Sequence, residues 1–103
     1  MELSVIERLL LLSLLPREGD ITTVRIVADV RHDLSFSEDE YATLGMRIEN
    51  GSAHWKTDRE VPRVFTLGPK ATAMIVDSLE KLNTSGKLTE QHLSLCEKFG
   101  IGT

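Results

Sequence analysis

The stretch that decides the fold is residues 36–56, FSEDEYATLGMRIENGSAHWK. At its start, Ser37 has the side chain of a helix N-cap, and Glu40 three residues later completes a capping box. Phe36 and Tyr41 stand at the two positions of a hydrophobic staple, which fixes the angle at which the chain enters the helix. The stretch therefore predicts a helix. The helix is expected to be short, because Gly45 is suited to end it.

The second half of the same stretch predicts a β-hairpin. Asn50-Gly51 is a favoured two-residue turn, and folding the chain about it pairs Ile48 with Ala53 and Met46 with Trp55. Both pairs lie on one apolar face of the hairpin, because side chains alternate between faces along a strand. The other face is polar and carries Arg47, Glu49, Ser52, His54 and Lys56.

Two longer helices are predicted before this stretch. The first, residues 5–15, contains four consecutive leucines and stops before Pro16. Because consecutive residues point all around a helix, it is either the central helix of the core or part of an oligomer contact. The second helix, residues 21–33, is indicated by apolar side chains that repeat at intervals of three and four. These side chains are Val24, Val27, Val30 and Leu34.

After the hairpin, residues 61–67 are expected to hold a third strand, with an irregular start because of Pro62. Gly68-Pro69 begins a further helix, and Thr89 caps a last one over residues 90–99. The predicted inward side chains of these two helices are Ile75, Leu79 and Leu82, and then Leu93, Cys96 and Phe99. The chain is therefore predicted to be a single α+β domain, residues 1–103, with about five helices, one hairpin and a C-terminal helix pair.

Over the first two-thirds of the chain, this order of elements is similar to that of a winged helix-turn-helix domain. In such domains the third helix enters the major groove of DNA and the hairpin forms the wing. Here the first turn of the third helix carries Glu38, Asp39 and Glu40, which DNA phosphates would repel. DNA binding by a transcriptional regulator is therefore the alternative hypothesis. The wing residues that would carry it are Arg47, His54 and Lys56.

The composition argues against several classes of protein. A net charge of −4 and a pI of about 5.3 are unlike a generic binder of nucleic-acid backbones, which is usually basic. The one cysteine, Cys96, cannot form an internal disulfide, which suits a cytoplasmic location. The apolar run at residues 9–15 is far shorter than the ~20 residues of a membrane span, and its flanks are not those of a signal peptide.

No combination of residues predicts catalysis, a cofactor or a metal ion. The histidines His32, His54 and His92 do not have the spacing of metal ligands. Cys96 has no neighbouring general base that would mark it as a nucleophile. The sequence therefore predicts a protein that is not an enzyme.

Two sets of residues carry a resemblance to a known family. The first set is Glu7-Arg8-Leu9-Leu10-Leu11-Leu12, Leu15-Pro16, Glu18-Gly19-Asp20 and Phe36-Ser37-Glu38, and the second is Gly86-Lys87-Leu88-Thr89, His92-Leu93 and Glu97-Lys98-Phe99. With these residues the chain resembles small phage and prophage proteins of unknown function. The resemblance implies a bacterial cytosol during infection or lysogeny, where small acidic proteins regulate genes, take part in assembly or block host proteins.

The hypothesis that follows is a non-enzymatic protein that binds a host or phage protein, as an accessory protein or an inhibitor, with a homodimer as its expected form. An acidic surface of this kind could compete with nucleic acid for a basic partner. Trp55 either packs the hairpin onto the helices or forms an aromatic anchor for the partner. The residues predicted to bind the partner are Glu38, Asp39, Glu40 and Trp55.

Overall fold

The computed structural model describes residues 1–102, and their secondary structure confirms the predicted α+β class, with five helices and a hairpin. The helices within these residues are α1 (Val5–Leu14), α2 (Ile21–Leu34), α3 (Glu38–Leu44), α4 (Pro69–Thr84) and α5 (Leu93–Lys98). The strands are β1 (Glu2–Leu3), β2 (Arg47–Glu49), β3 (Ser52–His54) and β4 (Arg63–Val64), and 3-10 turns lie at Thr57–Arg59 and Glu90–His92. The predicted domain also includes Thr103, which lies outside the described residues.

Helix α1 is the central helix of the core, the first of the two expected alternatives. It contacts α2, α4 and the 3-10 turn before α5, and Leu11 is fully buried. Leu9, Leu10 and Leu12 are only half-buried, so the helix is not enclosed on every side. No helix within residues 1–102 combines the length and the apolar character that a membrane span requires.

Helix α2 turns most of its predicted apolar face to the core. Val27, Val30 and Leu34 are buried, as expected from their spacing. Val24 is the exception, because 45% of its surface is exposed and its predicted place in the core is wrong. The core side of α2 is centred on Val27 and Val30, and Val24 lies beyond its edge.

The hairpin has the predicted register and turn. Ile48 pairs with Ala53, and both turn residues have positive φ, 51° at Asn50 and 78° at Gly51, as a tight hairpin turn requires. The predicted burial of the apolar face is only partly right. Met46, Ala53 and Trp55 are half-buried, whereas Ile48 is 64% exposed because the turn end of the hairpin projects away from the core.

The pairing of β1 with β4 was not predicted. Glu2 lies opposite Val64 and Leu3 opposite Arg63, so residue 64 is in a strand as expected, but its partner is the N-terminal segment. Leu3 is 1% exposed and packs in the main core cluster with Phe65. Strands of two residues are too short to show the alternation from which a strand is recognised.

The last predicted helix, residues 90–99, is interrupted. Its first turn is a 3-10 turn, and α5 begins only at Leu93. Because a 3-10 turn contains about three residues rather than 3.6, it shifts the direction of the side chains that follow. Leu93, predicted to face inward, is 60% exposed, while Leu95 is fully buried and Cys96 is buried as predicted.

Candidate functional site

A buried arginine holds α1 against the turn between α2 and α3. Arg8 is 2% exposed, and it donates hydrogen bonds to the carbonyls of Leu34 at 3.2 Å and Ser35 at 2.9 Å. Both carbonyls lie at the C-terminal end of α2, where the helix dipole favours a cation. The guanidinium also lies 3.9 Å from the centroid of the Phe36 ring, a cation–π arrangement. Arg8 therefore fixes the direction in which α3 leaves α2.

The carboxylate of Glu40 is shared by two arginines and by the N-terminus of its own helix. Arg8 and Arg63 both form ion pairs with it, the second at 3.0 Å, and its Oε1 accepts the backbone N–H of Ser37 at 3.1 Å. The hydrogen bond from Arg8 is the main cause that lowers the pKa of Glu40, against an opposing effect of burial. Glu40 is thus largely occupied by contacts within the chain.

The lowered pKa of Glu40 gives an expected acid dependence of stability. Its contribution to folding is complete above the ordinary glutamate pKa of 4.5 and is lost as the pH falls through the lower pKa of the folded state. We expect Glu40→Gln to lower the free energy of unfolding at pH 7 by about 1–3 kcal/mol, because charged hydrogen bonds are lost. Urea unfolding between pH 7 and pH 2 measures this, and the variant should show a shallower decline in acid than the parent. An equally steep decline would assign the acid sensitivity to other groups.

A second buried charge ties the C-terminal helix to the start of the chain. Glu7 is 3% exposed, and its Oε1 accepts the Ser4 backbone N–H at 2.9 Å and the Lys98 ammonium at 2.7 Å. Burial raises the pKa of Glu7, but hydrogen bonds from Lys98, Ser4 and Ser94 together outweigh it and the net shift is downward. Glu7 Oε2 is buried, and no hydrogen bond to it meets the usual distance and angle limits among residues 1–102.

An open groove of about 190 Å³ lies between α3 and residues 59–63, beside the Arg8–Glu40 cluster. Val5 and Leu44, both buried, form an apolar floor. One wall carries Asp39 of α3, and the other carries Val61, which is 77% exposed. We call this feature the α3 groove. An apolar floor with charged side chains at its rim is the usual character of a surface that receives a side chain of a partner.

The charges at the α3 groove are partly unmatched. Glu38 and Asp39 are exposed, and neither forms an ion pair within residues 1–102. Arg59 on the facing wall also lacks one among these residues. The predicted acidic first turn is therefore divided: Glu40 points to the internal cluster, and Glu38 and Asp39 remain available to a partner.

Trp55, the fourth residue predicted to bind a partner, is half-buried on the hairpin. Its Nε1 is buried and has no hydrogen-bond acceptor among residues 1–102. Tryptophan N–H groups usually have a partner when buried. The indole therefore belongs partly to the packing of the hairpin and partly to its surface, and it does not line the α3 groove.

The residues of the alternative DNA hypothesis are only partly brought together. Arg47 and His54 are directly opposite each other across the hairpin, and both are exposed. Arg47 is ion-paired with Glu49 at 2.9 Å, which reduces the positive charge of this face. Lys56 follows β3, and its side-chain stem lies beside Gly45, which ends α3.

Sequence reasoning did not identify Arg8, Arg63 or Val61 as parts of a site. A signal existed for Arg8, because this charged residue lies next to the apolar run of a helix that was predicted to be apolar all around. A charged residue in such a position requires a buried partner. Arg63 and Val61 had no comparable signal, since their importance depends on how β4 is placed by its pairing with β1.

Within residues 1–102, no group of three or more histidine, cysteine, aspartate or glutamate side chains is arranged to hold a metal ion. Cys96 is buried, and burial raises the pKa of its thiol, which lowers its reactivity at neutral pH. Comparisons with protein-family models, with curated proteins and with solved structures found no match to the chain.

Proposed function

We propose that the protein is a small non-enzymatic module that binds another protein through the α3 groove and the carboxylates beside it. The observation that carries this proposal is the groove itself: a buried apolar floor, an exposed Val61 on its wall, and Asp39 without an ion pair within residues 1–102. A partner would insert an apolar side chain over Val5 and Leu44 and place a basic side chain near Asp39.

The Arg8–Glu40 cluster supports this proposal by keeping the groove in one shape. In this cluster, the buried Arg8 joins α1 to the end of α2 and the start of α3, and Arg63 joins β4 to the same Glu40. A surface that is fixed before binding loses less conformational entropy when the partner binds. The proposed partner is a basic host or phage protein, and the phage setting follows from the family resemblance rather than from the geometry.

The experiment is a comparison of capture from bacterial lysate by the tagged chain and by groove variants, with nuclease added. We expect the double substitution Glu38→Lys with Asp39→Lys to reduce the amount of the specific partner at least tenfold, which corresponds to about 1.4 kcal/mol. A control with the same change in charge is Glu80→Lys with Glu90→Lys, at two exposed positions away from the groove.

Two valines of similar exposure test whether binding depends on the groove itself or only on the charge of the surface. Val61 is 77% exposed and lines the groove, while Val64 is 74% exposed and does not. We expect Val61→Ser to weaken binding and Val64→Ser to leave it unchanged. Equal retention of the partner by both groove variants and both controls would contradict the proposal.

The alternative, a DNA-binding regulator with the hairpin as its wing, is favoured by the direct cross-strand placement of Arg47 and His54. The nuclease arm of the same capture experiment distinguishes it. Recovery of DNA, or of proteins that are lost when nuclease is added, would support the alternative, and the binding should then fall steeply as salt is raised.

A further inference from the structure

Helix α2 presents an apolar stripe to solvent on the side away from the core. Ile21 is 65% exposed, Val24 is 45% exposed and Ala28 is also exposed. At 100° per residue these three side chains lie close together on one face, on successive turns of the helix. We call them the α2 stripe.

Charged residues of opposite sign flank the α2 stripe on both sides. The helical spacing places Asp20 and Arg31 along one edge, and Arg25 and Asp29 along the other. All four are exposed, and within residues 1–102 none of them forms an ion pair. On each edge, the acidic and the basic residue therefore lie at different heights along the helix axis, which we call their levels.

We propose that the α2 stripe is the contact through which two copies of the chain form a homodimer, with their α2 helices antiparallel. A two-fold axis at the level of Ile26 places Val24 level with the partner's Ala28. On one edge, Asp20 is then about 1.5 Å along the helix axis from the level of the partner's Arg31, at a rise of 1.5 Å per residue. On the other edge, Arg25 is about 3 Å from the level of the partner's Asp29.

The two-fold axis repeats each of these charge pairs, so each of the eight charges that flank the two stripes has an opposite charge at a similar level, although the two Arg25 side chains also come within about 3 Å of each other's level. A parallel arrangement brings only Asp29 and the partner's Arg31 to similar levels, and it leaves Asp20 and Arg25 without an opposite charge. Exposed ion pairs contribute little energy, typically about 0–1 kcal/mol each. The charges therefore select the antiparallel orientation, while burial of Ile21 and Val24 drives the association. Closed two-fold dimers are also the commonest form of soluble oligomer.

A first test compares two isoleucines of nearly equal exposure. Ile21 in the stripe is 65% exposed, and Ile48 on the hairpin is 64% exposed. We expect the unmodified chain and Ile48→Asp to sediment as dimers, and Ile21→Asp as a monomer. Aspartate is tolerated in the first turn of a helix, so Ile21→Asp should keep its circular dichroism spectrum.

A second test uses charge exchange between the two copies. Alone, Arg25→Asp and Asp29→Arg each place like charges opposite each other across the interface, so each should form a weaker dimer than the unmodified chain. When the two variants are mixed, every contact on that edge again joins opposite charges, and a heterodimer should form. Mass analysis of the mixture by native mass spectrometry counts the species directly.

The proposal is overturned by an unmodified chain that stays monomeric at the highest concentration that sedimentation can examine. It is also overturned by a dimer that Ile21→Asp leaves intact, or by variants that do not associate preferentially when mixed. Because the α2 stripe is separate from the α3 groove, these outcomes are independent of the capture experiment for the proposed function.

Discussion

Replacing Arg8 with methionine is expected to lower the free energy of unfolding by about 3–4 kcal/mol, because one partner of a buried charge network is removed. Methionine keeps most of the aliphatic volume of arginine. The loss of stability is therefore due to removal of the guanidinium rather than to a cavity. The carbonyls of Leu34 and Ser35 lose their donors, and Glu40 loses its shortest ion pair. The cost lies at the lower end of the range for buried pairs, since Glu40 is 22% exposed and keeps Arg63.

The control for this prediction is Arg47→Met, an exposed arginine that is also ion-paired with a glutamate. Exposed ion pairs contribute about 0–1 kcal/mol, so this variant should unfold almost as the parent does. Urea titration followed by circular dichroism measures both proteins at pH 7. Equal losses in the two variants would mean that the Arg8 network does not hold the helices together.

The second large effect is expected in the C-terminal helix, where the structure and the sequence pattern disagree. Leu95 is fully buried, and Leu95→Ala should cost about 2–5 kcal/mol, as for other leucines removed from a core. Leu93 is 60% exposed, and Leu93→Ala should cost about 0.5 kcal/mol or less.

The two alanine variants differ by two positions in the same helix, so helix propensity cannot account for a difference between them. Urea unfolding of each, at the same pH as the parent, is the measurement. A larger loss for Leu93→Ala than for Leu95→Ala would restore the arrangement expected from the sequence, in which Leu93 faces inward.

The elements that could be predicted from the sequence are those with a local signal. Ser37 and Glu40 form the expected capping box, with Phe36 and Tyr41 rings 6.1 Å apart as a staple. The Asn50-Gly51 turn likewise determines the hairpin register, in which Ile48 pairs with Ala53. Residues close in sequence determine both the helix start and the hairpin turn, because capping and tight turns depend on contacts between residues only a few positions apart.

The features that could not be predicted depend on contacts between distant parts of the chain. The pairing of β1 with β4 joins residues 60 or more positions apart, and it is this pairing that brings Arg63 to Glu40. The side that α5 turns inward depends on a 3-10 turn without a distinctive sequence signal.

The candidate site was predicted in part. Asp39, which the sequence predicts to bind a partner, lines the groove, but the groove exists only because Val61 is placed opposite α3. The sequence predicts that Glu40 faces a partner, whereas in the structure it forms an ion pair with the buried Arg8. Carboxylates at the start of a helix look alike in sequence, whether they face solvent or a buried cation.

The most direct test of the proposed function is photo-crosslinking from a single position in the α3 groove. A photoreactive residue at position 61 replaces an exposed valine on the groove wall, and the control position is 93, an exposed leucine on α5. In nuclease-treated bacterial lysate, we expect one discrete protein adduct from position 61, lost when Glu38→Lys and Asp39→Lys are added, and none from position 93. Adducts that are the same from both positions, or no adduct from position 61 under conditions in which the partner is captured, would contradict the proposed function.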